Sequence, residues 1–166
     1  MIQVYTGNGK GKTTAALGLA LRAAGAGLKV YIAQFIKGKI CSEHHALKKI
    51  KNITVEQFGS GCFVRKINKR DIKLVKCGLA AVKKALKDKS CDVVIMDEIS
   101  AALKLKLLDC KDLIKLLKNV SPKQELILTG RDTPCEIVKL ADLVSEIKEI
   151  KHYFHKGVKG RKGIEY

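Results

Sequence analysis

The feature that most constrains this chain is a glycine-rich loop between a strand pattern and a helix pattern near its start. The run "IQVYT" is apolar and β-branched, and "KTTAALGLALRAAGAG" is rich in alanine and leucine. Between them, "YTGNGKGKTT" contains Gly11, Lys12 and Thr13, the second half of the phosphate-binding pattern G-x-x-x-x-G-K-[ST]. The residue five positions before Gly11 is Thr6, so the loop either lacks the first glycine or is one residue short.

Apolar runs and helical patterns alternate along the rest of the chain. Further strands are predicted at 29–35, 53–58, 91–98, 125–130 and 143–150, and helices at 42–51, 69–88, 110–120 and 133–142. Ser42 and Pro134 mark the predicted starts of two of these helices. The alternation predicts a mostly parallel sheet with helices on both faces. We therefore predict one α/β domain over residues 1–166. With the glycine loop between its first strand and helix, we expect the P-loop (RecA-like) nucleotide hydrolase type.

The composition argues against membrane insertion and secretion. The most apolar window, 15–36, is interrupted by Arg22 and Lys29. The first residues lack the charged region and cleavage site of a signal peptide, so we expect a cytoplasmic protein. The six cysteines include no C-x-x-C pair, which argues against a zinc ribbon or a redox motif.

The chain is strongly basic, with a formal net charge of +17. This charge predicts attraction to polyanions, which include nucleic acid and nucleotide triphosphates. Alternatively, many lysines simply cover solvated helix faces, as in "KKALKDK". Because the chain has no arginine-rich tract and only 5% aromatic residues, we do not expect nucleic acid as a partner.

Three polar clusters follow predicted strands: the glycine loop, "MDEIS" after the fourth strand and "TGRD" after the fifth. The carboxyl ends of parallel strands meet at one edge of a sheet, so we expect these clusters to share one ligand site. The four histidines, His44, His45, His152 and His155, lie outside the three clusters.

In the loop, we expect Gly7, Gly9 and Gly11 to leave backbone N–H groups free for phosphate. Lys12 would neutralise phosphate charge, and the Thr13 hydroxyl would reach a magnesium ion. The alternative is a glycine turn with surface lysines, which the strand–loop–helix setting disfavours.

Asp97 and Glu98 end a predicted buried strand, where an acid of a phosphate-loop protein holds magnesium directly or through water. Alternatively, the two acids cap the following helix. Arg131 is predicted either to contact phosphate or ribose, or to pair with Asp132 at the surface. No glutamine or histidine follows the acids to position a water, so simple hydrolysis is poorly supported.

These residues resemble the ATP:corrinoid adenosyltransferases, the cob(I)alamin adenosyltransferases of the phosphate-loop type. "YTGNGKGKTTAALGLALRAAG" resembles the loop and first helix of that family, and "AQFIKG" its second-strand signature. "VVIMDEIS" is similar to its acidic strand end, and "LTGRDTPCEIVKLADLVSEI" with "KHYFHKGVKGRKGIEY" to its C-terminal third. The resemblance covers nearly the whole chain in order. The family's loop reads G-N-G-K-G-K-T-T, so the short spacing is normal for it.

The resemblance implies transfer of the 5′-deoxyadenosyl group of ATP to the Co(I) centre of cob(I)alamin or another corrinoid, with release of tripolyphosphate. It implies that ATP lies in the reverse sense along the loop. Lys12, Thr13 and Glu98 would be catalytic, and Thr13, Glu98 and Asp97 would hold Mg²⁺ or Mn²⁺. The residues implied to bind substrate are Gly7, Asn8, Gly9, Lys10, Gly11, Lys12, Thr13, Thr14, Arg131 and Phe63. Since Co(I) is already a strong nucleophile, catalysis reduces to alignment and stabilisation of the leaving charge.

The resemblance also implies a homodimer and a flavodoxin-like electron donor, whose acidity would suit this basic chain. Two features depart from the family. Many members carry an N-terminal extension that covers the active site of the partner subunit, whereas the first predicted strand here starts at residue 2, so we expect another cover or none. Many members read G-F-T-W after the third strand, where this chain reads "GSGCFV". We expect Phe63 either to face the corrin or to anchor its loop in the core.

Two other functions fit parts of the sequence. One is a phosphate-loop ATPase or kinase with another acceptor. The other is a nucleic-acid-binding module that uses ATP as a switch, for which the net charge is the only support.

Overall fold

Six parallel strands form the centre of the protein. The computed structural model describes residues 1–61, 67–88 and 90–166. The strands are β1 (Ile2–Thr6), β2 (Val30–Phe35), β3 (Ile53–Phe58), β4 (Val93–Asp97), β5 (Glu125–Thr129) and β6 (Leu143–Glu146). The helices are α1 (Lys12–Gly25), α2 (Ser42–Leu47), α3 (Lys69–Lys87), α4 (Ile99–Lys104), α5 (Cys110–Leu117) and α6 (Cys135–Val138), and a 3₁₀ helix spans Tyr153–Lys156.

The strand order across the sheet is β3-β2-β4-β5-β1-β6, and every strand pair is parallel. β1 pairs with β5 and β6, so the chain passes over β5 and β4 on its way to β2. Because all strands run in one direction, their carboxyl ends form one edge, where α/β proteins bind ligands. The predicted parallel α/β sheet is confirmed.

Both faces of the sheet are covered by helices, as alternation along β2 illustrates. Tyr31, Ala33 and Phe35 belong to a core shared with α3, α4, α5 and α6. Val30 and Ile32 belong to a second core formed with α1 and α2. Burial on both faces explains the continuous apolar run of central strand β4, whose five residues are all buried. In the described ranges, no helix combines the length and apolarity that crossing a bilayer requires.

Some local predictions differ from the structure. Cys41, not Ser42, is the N-cap of α2, because the ring of His44 accepts a hydrogen bond from the Cys41 amide and closes a capping box. The helix α4 was not predicted, since its six residues are too few for a helical period to show. The last strand ends at Glu146 rather than at residue 150, and Ile147 then contacts the glycine loop.

Candidate active site

A cavity of about 550 Å³ lies at the carboxyl edge of the sheet. Its volume is within the usual range for pockets that hold small molecules. Its lining comprises Gly9, Lys10, Gly11, Lys12, Thr13, Thr14, Leu17, Lys37, Ser42, Glu43, Glu98, Arg131, His152, Gly163, Ile164, Glu165 and Tyr166. The structure therefore brings the predicted loop, Glu98 and Arg131 together. Among the predicted residues, Gly7, Asn8 and Asp97 do not belong to this lining, and Phe63 lies outside the described residues.

The glycine loop is held against the end of β6 through its backbone. The Gly9 amide donates to the Ile147 carbonyl at 2.7 Å. Gly7 has a φ of 98°, and a Cβ there would lie 2.5 Å from the same carbonyl oxygen. The loop can approach Ile147 this closely only with glycine at that position. The prediction that all three glycines offer free amides is therefore wrong for Gly9, whose amide is already used.

Lys12 lies at the start of α1, where unpaired helical amides and the helix dipole favour an anion. Gly11 is the N-cap of this helix, with a left-handed φ of 119°. The Lys12 ammonium is buried and donates to the Gly9 carbonyl at 2.7 Å. Burial, and then repulsion from Arg131, lower the pKa of Lys12. A ligand with negative charge would offset both effects, so Lys12 is placed to stabilise phosphate.

Asp97 is the centre of a buried polar network at the strand ends. Its Oδ1 accepts from the hydroxyls of Thr13 at 2.8 Å and Thr129 at 2.7 Å. Its Oδ2 accepts from the Lys37 ammonium at 2.9 Å and the Gln34 amide at 3.2 Å. Only 1% of Asp97 is exposed. With both oxygens doubly hydrogen-bonded, Asp97 orients Thr13 and Lys37 within the site.

Sequence reasoning missed Lys37, Gln34 and Thr129. A search for polar residues within or just after the apolar strands would have found each of them. Gln34 is a polar residue in the otherwise apolar run of β2, Thr129 ends β5, and Lys37 follows β2 by two residues. Burial is the largest influence on the Lys37 ammonium and acts to lower its pKa, but attraction and a hydrogen bond from Asp97, helped by Glu98, raise the pKa overall.

The position of Lys37 depends on close contact between two loops. The Gly38 amide donates to the Gly61 carbonyl at 2.8 Å. A Cβ on Gly59 would lie 2.4 Å from the Lys37 amide nitrogen. The two loops that follow β2 and β3 therefore pack backbone against backbone. This packing fixes the position of the Lys37 backbone just beyond β2.

Glu98 adopts a left-handed conformation with a φ of 60°, and its amide donates to the Thr129 hydroxyl at 2.9 Å. This turn directs the chain away from β4 and leaves the carboxylate in the cavity lining. Burial, and then repulsion from Asp97, raise the pKa of Glu98, against the attraction of Lys37, Lys12 and Arg131. Glu98 holds the N-cap position of α4, but among the described residues its side chain makes no capping hydrogen bond. The capping alternative is therefore not supported.

Arg131 lines the cavity, as one of its two predicted roles requires. The other role, pairing with Asp132, does not match the described ion pairs, because the Asp132 carboxylate pairs with Lys104 at 2.5 Å. Thr133, two residues on, donates to the Thr6 hydroxyl at 3.0 Å. This bond ties the "TGRD" loop to the strand that precedes the glycine loop.

The other side of the cavity is formed by the C-terminal segment, which contacts Lys10. The Lys10 ammonium donates to the Tyr153 hydroxyl at 2.8 Å and to Glu165 at 2.9 Å. Glu165 also accepts from Tyr153 and from Arg161. We call Lys10, Tyr153, Arg161 and Glu165 the outer cluster. Lys10, predicted to bind substrate, is thus partly neutralised at the rim.

We call Lys12, Thr13, Lys37, Asp97 and Glu98, which are buried or half-buried, the inner cluster. Its cations, a hydroxyl and a cavity-facing carboxylate form a set suited to a polyphosphate and a divalent cation.

Comparisons with known proteins identify relatives along the whole chain. A family model described as "ATP:corrinoid adenosyltransferase BtuR/CobO/CobP" matches residues 1–166. The corrinoid adenosyltransferase of Escherichia coli (strain K12) is 37% identical over 168 residues, which cover 100% of this chain and 85% of that protein. The corrinoid adenosyltransferase CobA of Salmonella typhimurium is 37% identical over 170 residues, with the same coverage. The corrinoid adenosyltransferase of Pseudomonas aeruginosa is 30% identical over 169 residues, covering 100% of this chain and 83% of that protein.

Proposed function

The chain belongs to the ATP:corrinoid adenosyltransferase family, and from that premise we propose how its residues carry out the reaction. The enzyme transfers the 5′-deoxyadenosyl group of ATP to the cobalt of a corrinoid. The Co(I) centre attacks C5′, the bond between C5′ and the triphosphate oxygen breaks, and tripolyphosphate leaves. The protein must align the two substrates and stabilise the charge that builds up on the leaving group.

The observation that carries the assignment of the site is the convergence of cations on one cavity. Lys12 from the glycine loop, Lys37 after β2 and Arg131 after β5 come from separate strand ends and all line it. Since the leaving tripolyphosphate gains negative charge as the C5′–oxygen bond breaks, groups fixed in advance around it lower the barrier. Lys12 is the most buried of these cations, and we assign it the largest share.

A divalent cation fits the oxygen donors of the inner cluster. The Thr13 hydroxyl donates a hydrogen bond to Asp97 and accepts one from the Lys37 ammonium at 3.3 Å, which leaves one oxygen lone pair for a metal. Glu98 offers a carboxylate in the cavity lining. Hard oxygen donors of this kind suit Mg²⁺ and Mn²⁺. We propose that Thr13 and Glu98 hold the ion while Asp97 acts through Thr13, and that the bound ion neutralises charge on the phosphates.

The test is spectroscopic. Protein, ATP and chemically reduced cobalamin are mixed, and we expect the light-sensitive spectrum of adenosylcobalamin to appear together with tripolyphosphate. Formation of ADP without a corrinoid would instead favour the ATPase or kinase alternative. A shift of labelled RNA or DNA at moderate ionic strength would favour the nucleic-acid module.

The remaining features rest on family resemblance and on charge. We propose that residues 1–166 act as one domain, that the enzyme is a cytoplasmic homodimer, and that a flavodoxin-like donor supplies electrons to the cobalt. The net charge of +17 supports an acidic donor. Light scattering of the purified protein tests the dimer. Phe63, outside the described residues, stays a predicted corrin contact: Phe63→Ala should slow the flavoprotein-dependent reaction more than the chemically reduced one.

A further inference from the structure

A line of hydrogen bonds runs from the start of α2 to the acid at the end of β4. The Cys41 amide donates to His44 Nδ1 at 2.9 Å. His44 Nε2 lies 2.7 Å from Gln34 Oε1, and Gln34 Nε2 lies 3.2 Å from Asp97 Oδ2. His44, Gln34 and Asp97 are all buried, with exposed fractions of 4%, 0% and 1%. The histidine that lies far from the strand-end clusters in sequence therefore reaches the inner cluster through one glutamine.

The direction of this line is fixed by its first member. A backbone amide can only donate, so His44 Nδ1 accepts from Cys41, and the ring proton resides on Nε2. The Cys41 carbonyl, 3.2 Å from Nδ1, is the more distant of the two backbone atoms. A protonated Nε2 donates a hydrogen bond, so the Gln34 atom that lies 2.7 Å from it must be the acceptor Oε1. The Gln34 NH₂ group is then the group that faces Asp97.

We propose that His44 is a positioning residue of the nucleotide and metal site, acting through Gln34 on Asp97. The inference rests on the proposed function, because it concerns the same Asp97 that orients Thr13 and Lys37. With its NH₂ group held toward Oδ2, Gln34 adds a second hydrogen bond to that oxygen beside the Lys37 ammonium, and Oδ1 stays directed at the Thr13 hydroxyl. His44 thereby fixes the orientation of the hydroxyl assigned to the metal, without itself contacting ATP.

Metal binding by His44 and restraint of Gln34 by another residue both fit the contacts less well. Cys41, Glu43 and His44 offer ligand-type atoms within 4.8 Å of one another. However, both ring nitrogens of His44 already have hydrogen-bond partners, so a metal there would have to displace one of them. Gln57 also donates to Gln34 Oε1, but at 3.3 Å, compared with 2.7 Å from His44. The stronger restraint on Gln34 therefore comes from His44.

The first test uses the wild-type protein and needs no variant. Nitrogen-15 NMR of the histidine rings distinguishes a protonated Nε2 from a protonated Nδ1. We expect the His44 ring to be neutral with its proton on Nε2. A proton on Nδ1, in the other neutral tautomer or in the imidazolium, would overturn the proposal because Nδ1 could not accept from Cys41.

The second test compares two amides of different reach at position 44. Glutamine extends its NH₂ group about as far as Nε2, whereas asparagine is one bond shorter. The readout is the Mg²⁺ concentration that gives half-maximal ATP binding in calorimetric titrations without corrinoid. We expect His44→Asn to raise this concentration about tenfold, and His44→Gln to stay close to wild type. The exposed neighbour His45 supplies the controls His45→Asn and His45→Gln, which should both match wild type.

A purely structural role for His44 predicts a different pattern. Both substitutions at 44 would then lower the melting temperature, and the Mg²⁺ requirement would either stay unchanged or rise equally in both variants. Either result would contradict the proposal. Failure of the proposed function is separable from these outcomes: wild-type protein that binds ATP with Mg²⁺ but forms no adenosylcobalamin would refute the function and leave the role of His44 standing. Wild-type protein without Mg²⁺-dependent ATP binding would refute both.

Discussion

The inner and outer clusters each pair a lysine with a carboxylate at the same distance, yet in different surroundings. Lys37 and Asp97 lie 2.9 Å apart, as do Lys10 and Glu165. The Asp97 side chain is 1% exposed and that of Lys37 26%, whereas the outer side chains are 19% exposed at Glu165 and 39% at Lys10. The distance between charges therefore does not distinguish the pairs, but burial does.

Burial decides what each pair contributes. Removing one partner of a buried pair leaves an uncompensated charge in a medium of low polarity, which is strongly destabilising. Water and salt screen an exposed pair, so its loss has little effect. We infer that the inner cluster fixes the geometry of the chemistry, while the outer cluster adjusts the rim of the cavity.

The largest contrast is expected between the two lysines of the glycine loop. Lys12→Ala should lower the turnover number at least about a hundredfold, because it removes a preorganised charge that we propose faces the triphosphate. Lys10→Ala should retain most of the activity, since Glu165 already neutralises part of its charge. Turnover at saturating ATP and chemically reduced cobalamin measures both variants. A wild-type rate for Lys12→Ala would remove the phosphate-loop assignment.

Stability should separate the two carboxylates. Asp97→Ala should lower the free energy of unfolding by about 3 kcal/mol, because Lys37 and two threonine hydroxyls lose a buried acceptor. Glu165→Ala removes a half-buried carboxylate at the rim, whose partner Lys10 is 39% exposed, and should cause a much smaller loss. Urea denaturation followed by circular dichroism measures both changes. Equal losses in the two variants would contradict the distinction drawn from burial.

Glu98→Gln should separate function from stability within the inner cluster. The substitution removes the carboxylate that we propose to bind the metal, so the Mg²⁺ concentration needed for half-maximal turnover should rise at least about tenfold. An unchanged Mg²⁺ titration would exclude Glu98 as a ligand of the ion.

The same variant should be more stable than wild type in the absence of ligand. Because burial and Asp97 raise the pKa of Glu98, the folded protein binds a proton more tightly than the unfolded chain. Wild-type stability therefore falls as pH rises from the ordinary glutamate range through the raised pKa. Glutamine carries no charge, so Glu98→Gln should melt at a higher temperature at neutral pH, and the difference should vanish below the ordinary glutamate range. Thermal melts across pH check the sign.

The smallest effect is expected from Glu165→Gln, which keeps the shape of the outer cluster and removes its charge. The Arg161 hydrogen bond is the main cause that lowers the pKa of Glu165, so the wild-type side chain is ionised at neutral pH. Without that charge, the Lys10 ammonium should be attracted less to residue 165 and more to the phosphates of ATP. The Michaelis constant for ATP should therefore fall slightly at low ionic strength. The difference should disappear at high salt. A large effect that persists in salt would show that the outer cluster is not screened.

The sequence was sufficient for the features that repeat along the chain. The alternation of apolar strands and helical patterns predicted the parallel sheet, and the loop between the first strand and helix predicted the position of Lys12 and Thr13. Because the carboxyl ends of parallel strands share one edge, the sequence also predicted that Glu98 and Arg131 lie at the ligand site, and both line the cavity. It did not predict α4 or the Cys41 N-cap, because a six-residue helix shows no clear period and cysteine is not a typical N-cap residue.

Tertiary structure alone decided which polar groups meet and in what environment. Gln34, His44 and Asp97 are far apart in sequence, and only the pairing of β2 with β4 and the packing of α2 bring them into one hydrogen-bonded line. The amino-acid sequence also does not reveal that the Gly9 amide donates a hydrogen bond to the Ile147 carbonyl. Nor does it reveal that Lys10 is neutralised at the rim while Lys12 is buried. Periodicity and local spacing encode the elements and their order. Hydrogen-bond partners and burial depend on contacts between distant segments, and these exist only in the folded protein.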